Sequence, residues 1–281
     1  MNLSKPYLIA EIGINHNGSV RLAKKLIDLA VKNNFDAVKF QKRDINVVYS
    51  KEYLDSFRKS PFGNTQRHQK QALEFNLSDY WEIDAYCKNI GIEWFVSCWD
   101  INSQIEMRIF STKWNKVASA MATNKEFCRL VASEGKKSFV STGMMSIENI
   151  QEVIEIFNSE NCPITLMHTV STYPSEEADL NLRCIQTLKE KFNLPIGYSG
   201  HETGVSPSIM AAVLGAEVIE RHITLDRAMY GSDQSASLEP AGMRNLCDTI
   251  KKVNICLGDG IKRIVPEEII IAKKLRYWVD D

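Results

Sequence analysis

The sequence predicts an α/β protein built as a single-domain (β/α)8 TIM barrel, and three observations predict it. Short apolar runs alternate with segments of helical period, and the alternation repeats eight times in about 260 residues, the span such barrels occupy. The chain has 281 residues, 44% of them hydrophobic, enough to bury one large core. No G-x-G-x-x-G follows the first run, so an open doubly wound sheet, the runner-up, lacks its fingerprint.

The first run is Tyr7–Ile12, followed after the turn residues Asn15–Gly18 by a helical pattern over Ala23–Val31. A second run, Ala37–Gln41, leads into Arg43–Glu74, which is polar, lacks a steady period, and is long enough to read as a lid or binding insertion. Leu77–Ile90 is helical in pattern and Glu93–Ser97 is the third strand. Four units then follow closely: Lys116–Ala120 with Lys125–Ser133, Ser138–Ser141 with Ile147–Phe157, Ile164–His168 with Asn181–Lys191, and Ile196–Ser199 with Ser206–Leu214. The last of these helices opens on Ser206-Pro207 and stops at Gly215, as helix boundaries tend to. Val218–His222 is the eighth strand and Ala241–Gly258 the eighth helix. The barrel is thus expected over residues 1–260, with a charged helical tail over 261–281.

Composition excludes several classes. A net charge of −1 with scattered Lys and Arg leaves no footprint for nucleic acid. No apolar run reaches the roughly 18–20 residues that span a bilayer. The stretch MNLSKPYLIAEIG lacks the apolar core of a signal peptide, so the expected location is the cytoplasm, with no membrane association. Seven cysteines, odd in number and without C-x-x-C spacing, read as reduced thiols, most of them buried.

Active sites of such barrels lie at the C-terminal ends of the strands, and here nearly every run ends in a reactive side chain. Glu11, Asn15 and His16 follow the first run, Lys39 and Gln41 close the second, and Ser97, Ser119, Ser141 and His168 close later ones. Ser199 with His201, and Glu220 with His222, complete the set, and Lys116 is read as inward-pointing. Lys39 and Lys116 with Ser119, Ser141 and Ser199 make a cationic, hydroxyl-rich pocket suited to a phosphate and a carboxylate on one small molecule. His201 and His222, ending adjacent strands, offer two imidazoles to a divalent transition metal with positions left for water and substrate. Glu11 and Asp233 are carboxylates available for proton transfer or hydroxyl binding. His16 and His168 read equally well as hydrogen-bonded structural histidines, and His68 as an exposed one.

The segments IAEIGINHNG (9–18), DAVKFQ (36–41), KVASAM (116–121), VSTGM (140–144), HTVSTYP (168–174), GYSGHETG (197–204) and ERHITLDR (220–227), with Gly231-Ser232-Asp233, resemble the catalytic barrel of the sialic acid synthases. The resemblance runs in order from about Tyr7 to Gly260. It implies condensation of phosphoenolpyruvate with a hexosamine aldehyde such as N-acetylmannosamine, giving a 2-keto-3-deoxy nonulosonic acid and phosphate. It further implies that Lys39, Lys116, Ser119, Ser141 and Ser199 hold phosphoenolpyruvate, that Ser171 can bond one of its oxygens, and that His201 and His222 hold a divalent ion. Mn2+ is the first choice for that ion and Mg2+ or Co2+ the alternatives. Gln41, Tyr173 and Asp233 would face the sugar, with Glu11 at the reacting centre, in a homodimer.

Departures from the family pattern set further expectations. Met121 stands where many members have a glutamate that serves the attacking water, so Glu11 or Asp233 must do that work or the chain belongs to a subgroup of different chemistry. Ser171 replaces a common asparagine, and Cys98 a common hydroxyl residue. The family's C-terminal antifreeze-like domain has no counterpart in this sequence, so the acceptor pocket is expected to be more open, or closed by the Arg43–Glu74 insertion, the tail aromatics or a separate protein. Two alternatives remain. One is a 3-deoxy-octulosonate or heptulosonate type synthase reading a phosphorylated acceptor through Arg43, Arg58 and Arg67; the other is a catalytically weakened barrel that binds phosphosugars.

Overall fold

The structure, a computed structural model, describes residues 5–278; the ends of the barrel and tail assignments, residues 1–4 and 279–281, lie outside it. Eight parallel strands close into a barrel: β1 (Tyr7–Gly13), β2 (Ala37–Lys42), β3 (Glu93–Cys98), β4 (Asn115–Val117), β5 (Ser138–Ser141), β6 (Ile164–Thr169), β7 (Ile196–Gly200) and β8 (Val218–His222). They pair in sequence order, and β8 closes on β1 with Glu11 beside His222. The outer layer is α1 (Val20–Lys32), α2 (Leu77–Ile90), α3 (Ile101–Met107), α4 (Lys125–Ala132), α5 (Ile147–Ser159), α6 (Cys184–Phe192), α7 (Ser206–Val213) and α8 (Pro240–Leu257).

The helices start where short polar side chains satisfy their first N–H groups. Ser19 caps α1, Asn124 caps α4, and Asn76 with Asp79 and Ser146 with Asn149 form capping boxes on α2 and α5. Pro207 and Pro240 open α7 and α8. One apolar cluster joins the outward strand faces to the helices; a second, of Ile9, Ala37, Phe95, Phe139, Met167 and Val218, plugs the barrel interior. Below that plug Trp114 Nε1 donates to Glu93 at 2.7 Å, and Tyr7 bonds the same carboxylate.

Three elements differ from the sequence reading. The fourth strand ends at Val117, because Ala118–Asn124 turns tightly, with Met121 N bonded to Ala118 O at 2.9 Å. Helix α3 was absent from the expectation; its seven residues are too few to show a period, and Asp100 starts it by accepting from Ser103 N at 2.7 Å. The Arg43–Glu74 insertion is ordered: two short helices, a hairpin of Phe57–Ser60 with Gly63–Thr65, and the helix Gln66–Leu73. All seven cysteines are unpaired, and five are buried. The tail helix Pro266–Leu275 has no buried residue. Among the described residues no helix is long and apolar enough to cross a membrane.

Candidate active site

Side chains alternate along a strand, so the residue two positions beyond each plug residue also faces the interior. Those positions hold Glu11, Lys39, Ser97, Ser141, Thr169 and Glu220. A layer of charge and hydroxyl groups therefore sits directly on the apolar plug, at the strand ends. It lines a cavity of about 150 Å³ together with Gln41, Lys116, Ser119, Ser171, Tyr173, Ser199, His201 and His222. A roomier cavity, about 660 Å³, lies outside the barrel against Leu180, Pro207 and Met210 and carries no comparable chemistry.

The pocket expected to be cationic is charge-balanced. Lys39 Nζ lies 2.9 Å from Glu11 Oε2 and 3.6 Å from Glu220 Oε1, and Lys116 Nζ lies 3.0 Å from Glu220 Oε2. All four side chains are buried, and buried charge persists only when paired. Burial opposes ionisation of Lys39, but Glu11 and Glu220 outweigh it and raise its pKa. Burial lowers that of Lys116, which answers to one carboxylate and feels the charge of Lys39. Burial would raise the pKa of Glu220, yet Lys116 and Lys39 hold it well below the usual carboxylate range. Glu220 thus remains an anion that spreads two lysines across the floor, and it also accepts from Ser199 Oγ at 3.2 Å.

At the rim, the rings of His201 and His222 lie 5.4 Å apart. His201 Nδ1 is 2.8 Å from the Val170 carbonyl oxygen, which can only accept, so Nδ1 carries the proton and Nε2 keeps its lone pair. Burial, with His222 beside it, drops the His201 pKa to about 3 and keeps the ring in the neutral, ligating form. His222 Nδ1 is buried without a hydrogen-bond partner among the described residues; Asp233 Oδ2 stands 3.8 Å away. The Tyr173 ring lies 4.0 Å from that of His201. A neutral His201 imidazole and a His222 ring with an orphaned Nδ1 fit a borderline divalent ion, although no group of three His, Cys, Asp or Glu ligands occurs among the described residues.

Two glycines keep the site open. A Cβ on Gly143 would stand 2.2 Å from Ser171 Oγ and 2.7 Å from Ser119 Oγ, and the Gly143 N–H donates to Ser119 Oγ at 3.2 Å. Two hydroxyls and an amide thus gather in one place, as recognition of an oxyanion requires. Gly13 has φ +55°, and a Cβ there would press on Gln41, Glu11 and His222.

The insertion reaches the same centre. Arg43 pairs with Glu74 at 3.0 Å and donates to Gln41 Oε1, and Gln41 Nε2 donates to Glu11 Oε1 at 2.8 Å. Arg58 and Arg67 bond Gln66, and Asp55 with Asn46, inside the insertion. Asp233 does not line the central cavity; its Oδ1 accepts from Ser232. Met121 lines a neighbouring cavity, and Cys98 faces the helix layer. His168 bonds the Leu180 carbonyl at 2.8 Å, His16 stacks on Phe75 at 3.9 Å, and His68 is exposed. Burial lowers the His16 pKa to about 3.

The NeuB family model matches residues 26–262. The chain belongs to the NeuB family. It is 35% identical to the human N-acetylneuraminate-9-phosphate synthase over 96% of this chain and 76% of that protein. It is equally identical to the Campylobacter jejuni N,N'-diacetyllegionaminic acid synthase, over 95% and 81%. A solved N-acetylneuraminic acid synthetase from Leptospira borgpetersenii, in complex with citrate, superposes with a TM-score of 0.84 at 29% identity, covering 98% of this chain and 93% of that one.

Sequence reasoning set Glu220 among the strand-end residues without giving it a role, and left Trp99 out of this NeuB-family site. Glu220 carried a signal, since in Glu220-Arg221-His222 the alternation sends Glu220 to the same side as His222. Trp99 carried none: it follows the third strand, and it lines the pocket with Arg43 stacked on it at 4.7 Å and its backbone N–H bonded to the Lys42 carbonyl at 2.9 Å.

Proposed function

We propose that this barrel condenses phosphoenolpyruvate with the open-chain aldehyde of a hexosamine, releasing phosphate and a 2-keto-3-deoxy nonulosonic acid. Carbon–carbon bond formation with phosphoenolpyruvate is the reaction class of its family. The observation that carries the assignment to these residues is the layer in which two buried lysines share Glu220 beneath the Ser119–Gly143–Ser171 cluster and beside the paired rings of His201 and His222.

Lys116, with a single acceptor among the described residues, has ammonium donors to spare for the phosphate or carboxylate of phosphoenolpyruvate. Ser119, Ser141 and Ser171 supply neutral donors, which suits a floor whose own charges already cancel. His201 and His222 would hold a divalent ion, Mn2+ in the first instance, and such an ion when bound polarises a carbonyl oxygen. Gln41 and Tyr173 orient the sugar at the rim, with Asp233 beyond His222. C3 of phosphoenolpyruvate forms the new bond to the aldehyde carbon, water adds at C2, and the C–O bond to phosphate then breaks. Glu11, held by Lys39 and Gln41, takes the proton of that water, a task the thioether of Met121 cannot perform. Positioning and charge stabilisation supply most of the acceleration. Purified protein with Mn2+ and a panel of hexosamines should release phosphate from phosphoenolpyruvate; no release with any of them overturns the reading.

A further inference from the structure

Beside the catalytic cavity lies a second one, of about 540 Å³, and the two share the walls Trp99 and Ala120. The central cavity is smaller than the roughly 300–1,000 Å³ usual for small-molecule sites, and it must admit two substrates. The neighbour supplies the missing room. Its walls are chiefly Val48 and Tyr49 from the insertion, Ile101 at the start of α3, and Met121. No Lys or Arg lines it, while the buried carboxylate of Asp100 does. Three cations of neighbouring segments have partners elsewhere or stand behind a ring: Arg43 is bonded to Glu74, Gln41 and Tyr49, Lys125 is paired with Glu152, and Lys70 sits 5.1 Å over the Tyr49 ring. Among the neutral polar groups of its lining are the side-chain amides of Asn102 and Asn124.

From this lining we infer that the second cavity is an acceptor subsite for an uncharged acylamino substituent, carried by the sugar away from its aldehyde. The inference rests on the condensation proposed above. A phosphate here would meet a buried carboxylate and no paired cation, and would remain uncompensated. An acylamino group instead places its alkyl end on Val48, Ile101 and Met121 and offers its C=O and N–H to the side-chain amides of Asn102 and Asn124, which also line the cavity. The names of the two relatives differ on this point, one product bearing a phosphate and the other a second acetyl group. The walls of this cavity match the second chemistry.

The test compares phosphate release from phosphoenolpyruvate with three acceptors: N-acetylmannosamine, its 6-phosphate, and a hexosamine carrying a second acetamido group remote from the aldehyde. The diacetamido sugar should show a kcat/KM at least about tenfold above the phosphorylated one. Val48→Trp, which fills the cavity from the insertion, should raise the KM for the diacetamido sugar about tenfold and leave the KM for phosphoenolpyruvate unchanged. Ile101→Phe, from the α3 side of the lining, should act in the same direction, so the result does not depend on one variant folding. Preference for the phosphorylated acceptor, or a diacetamido KM indifferent to both substitutions, overturns the subsite while leaving the condensation intact. Absence of release with all three acceptors overturns both.

Discussion

Arg221 and Glu202 form an ion pair closed to solvent, Nη1 to Oε1 at 2.8 Å, directly behind the two histidines of the rim. Arg221 precedes His222 and Glu202 follows His201, so the pair ties the ends of β7 and β8 from the helix side while the imidazoles face the pocket. Ser208 Oγ, the Gly204 carbonyl and the Tyr198 hydroxyl complete the network at 2.7–2.9 Å. Glu202→Gln should cost about 3–5 kcal/mol in urea unfolding, because it leaves the guanidinium buried without its counter-charge. Replacing both residues by methionine should recover part of that loss, and strict additivity of the two single substitutions would refute the coupling.

Gly143→Ala should weaken phosphoenolpyruvate selectively. The new methyl would collide with Ser171 Oγ and Ser119 Oγ, which are site groups, and the φ of Gly143 is ordinary, so the damage falls on binding and spares the backbone. An increase of about tenfold or more in the KM for phosphoenolpyruvate is expected, about 1.4 kcal/mol, with the far-UV spectrum unchanged.

His222→Ala should abolish both turnover and retention of Mn2+, read by the paramagnetic resonance signal of the ion after desalting. A variant that keeps full activity refutes the role of this imidazole.

Acid stability should depend on Glu134. Burial would raise its pKa, but hydrogen bonds from Gln104 (2.8 Å), Asn115 (3.0 Å) and Arg108 (2.9 Å) prevail and lower it. A carboxylate held below its unfolded value stabilises the fold at pH above that unfolded value, and the contribution drains away as pH falls through the folded one. The urea midpoint of the native protein should therefore fall as pH drops below the ordinary glutamate value of about 4.3, and Glu134→Gln, already less stable at pH 7, should show a flatter decline.

The barrel was legible because each strand announces itself twice, by an apolar run and by a reactive residue at its end. Glu11, Lys39, Ser141, His201 and His222 needed only the direction of the strand and its alternation to be placed. What escaped the sequence is what depends on convergence. That Lys39 and Lys116 are neutralised by Glu11 and Glu220 follows from four strands meeting across the interior. The insertion showed no period because its helices and hairpin strands are three to eight residues long, each too short to repeat. Met121 could be named as the place where a glutamate is missing. Only the turn after Val117 shows that its side chain looks into the adjoining cavity.

The chain of contacts from Arg43 through Gln41 to Glu11 has a consequence for anyone who would re-engineer this enzyme. A loop that chooses substrates is often treated as a detachable cassette, to be swapped between scaffolds while the chemistry stays put. Here the cassette is hard-wired to Glu11, because the group that anchors it also sets the orientation of that carboxylate two links away. A transplanted loop would bring its own catalytic tuning with it, and a donor lacking an arginine at that first link would deliver new selectivity only at the cost of a carboxylate left to swing.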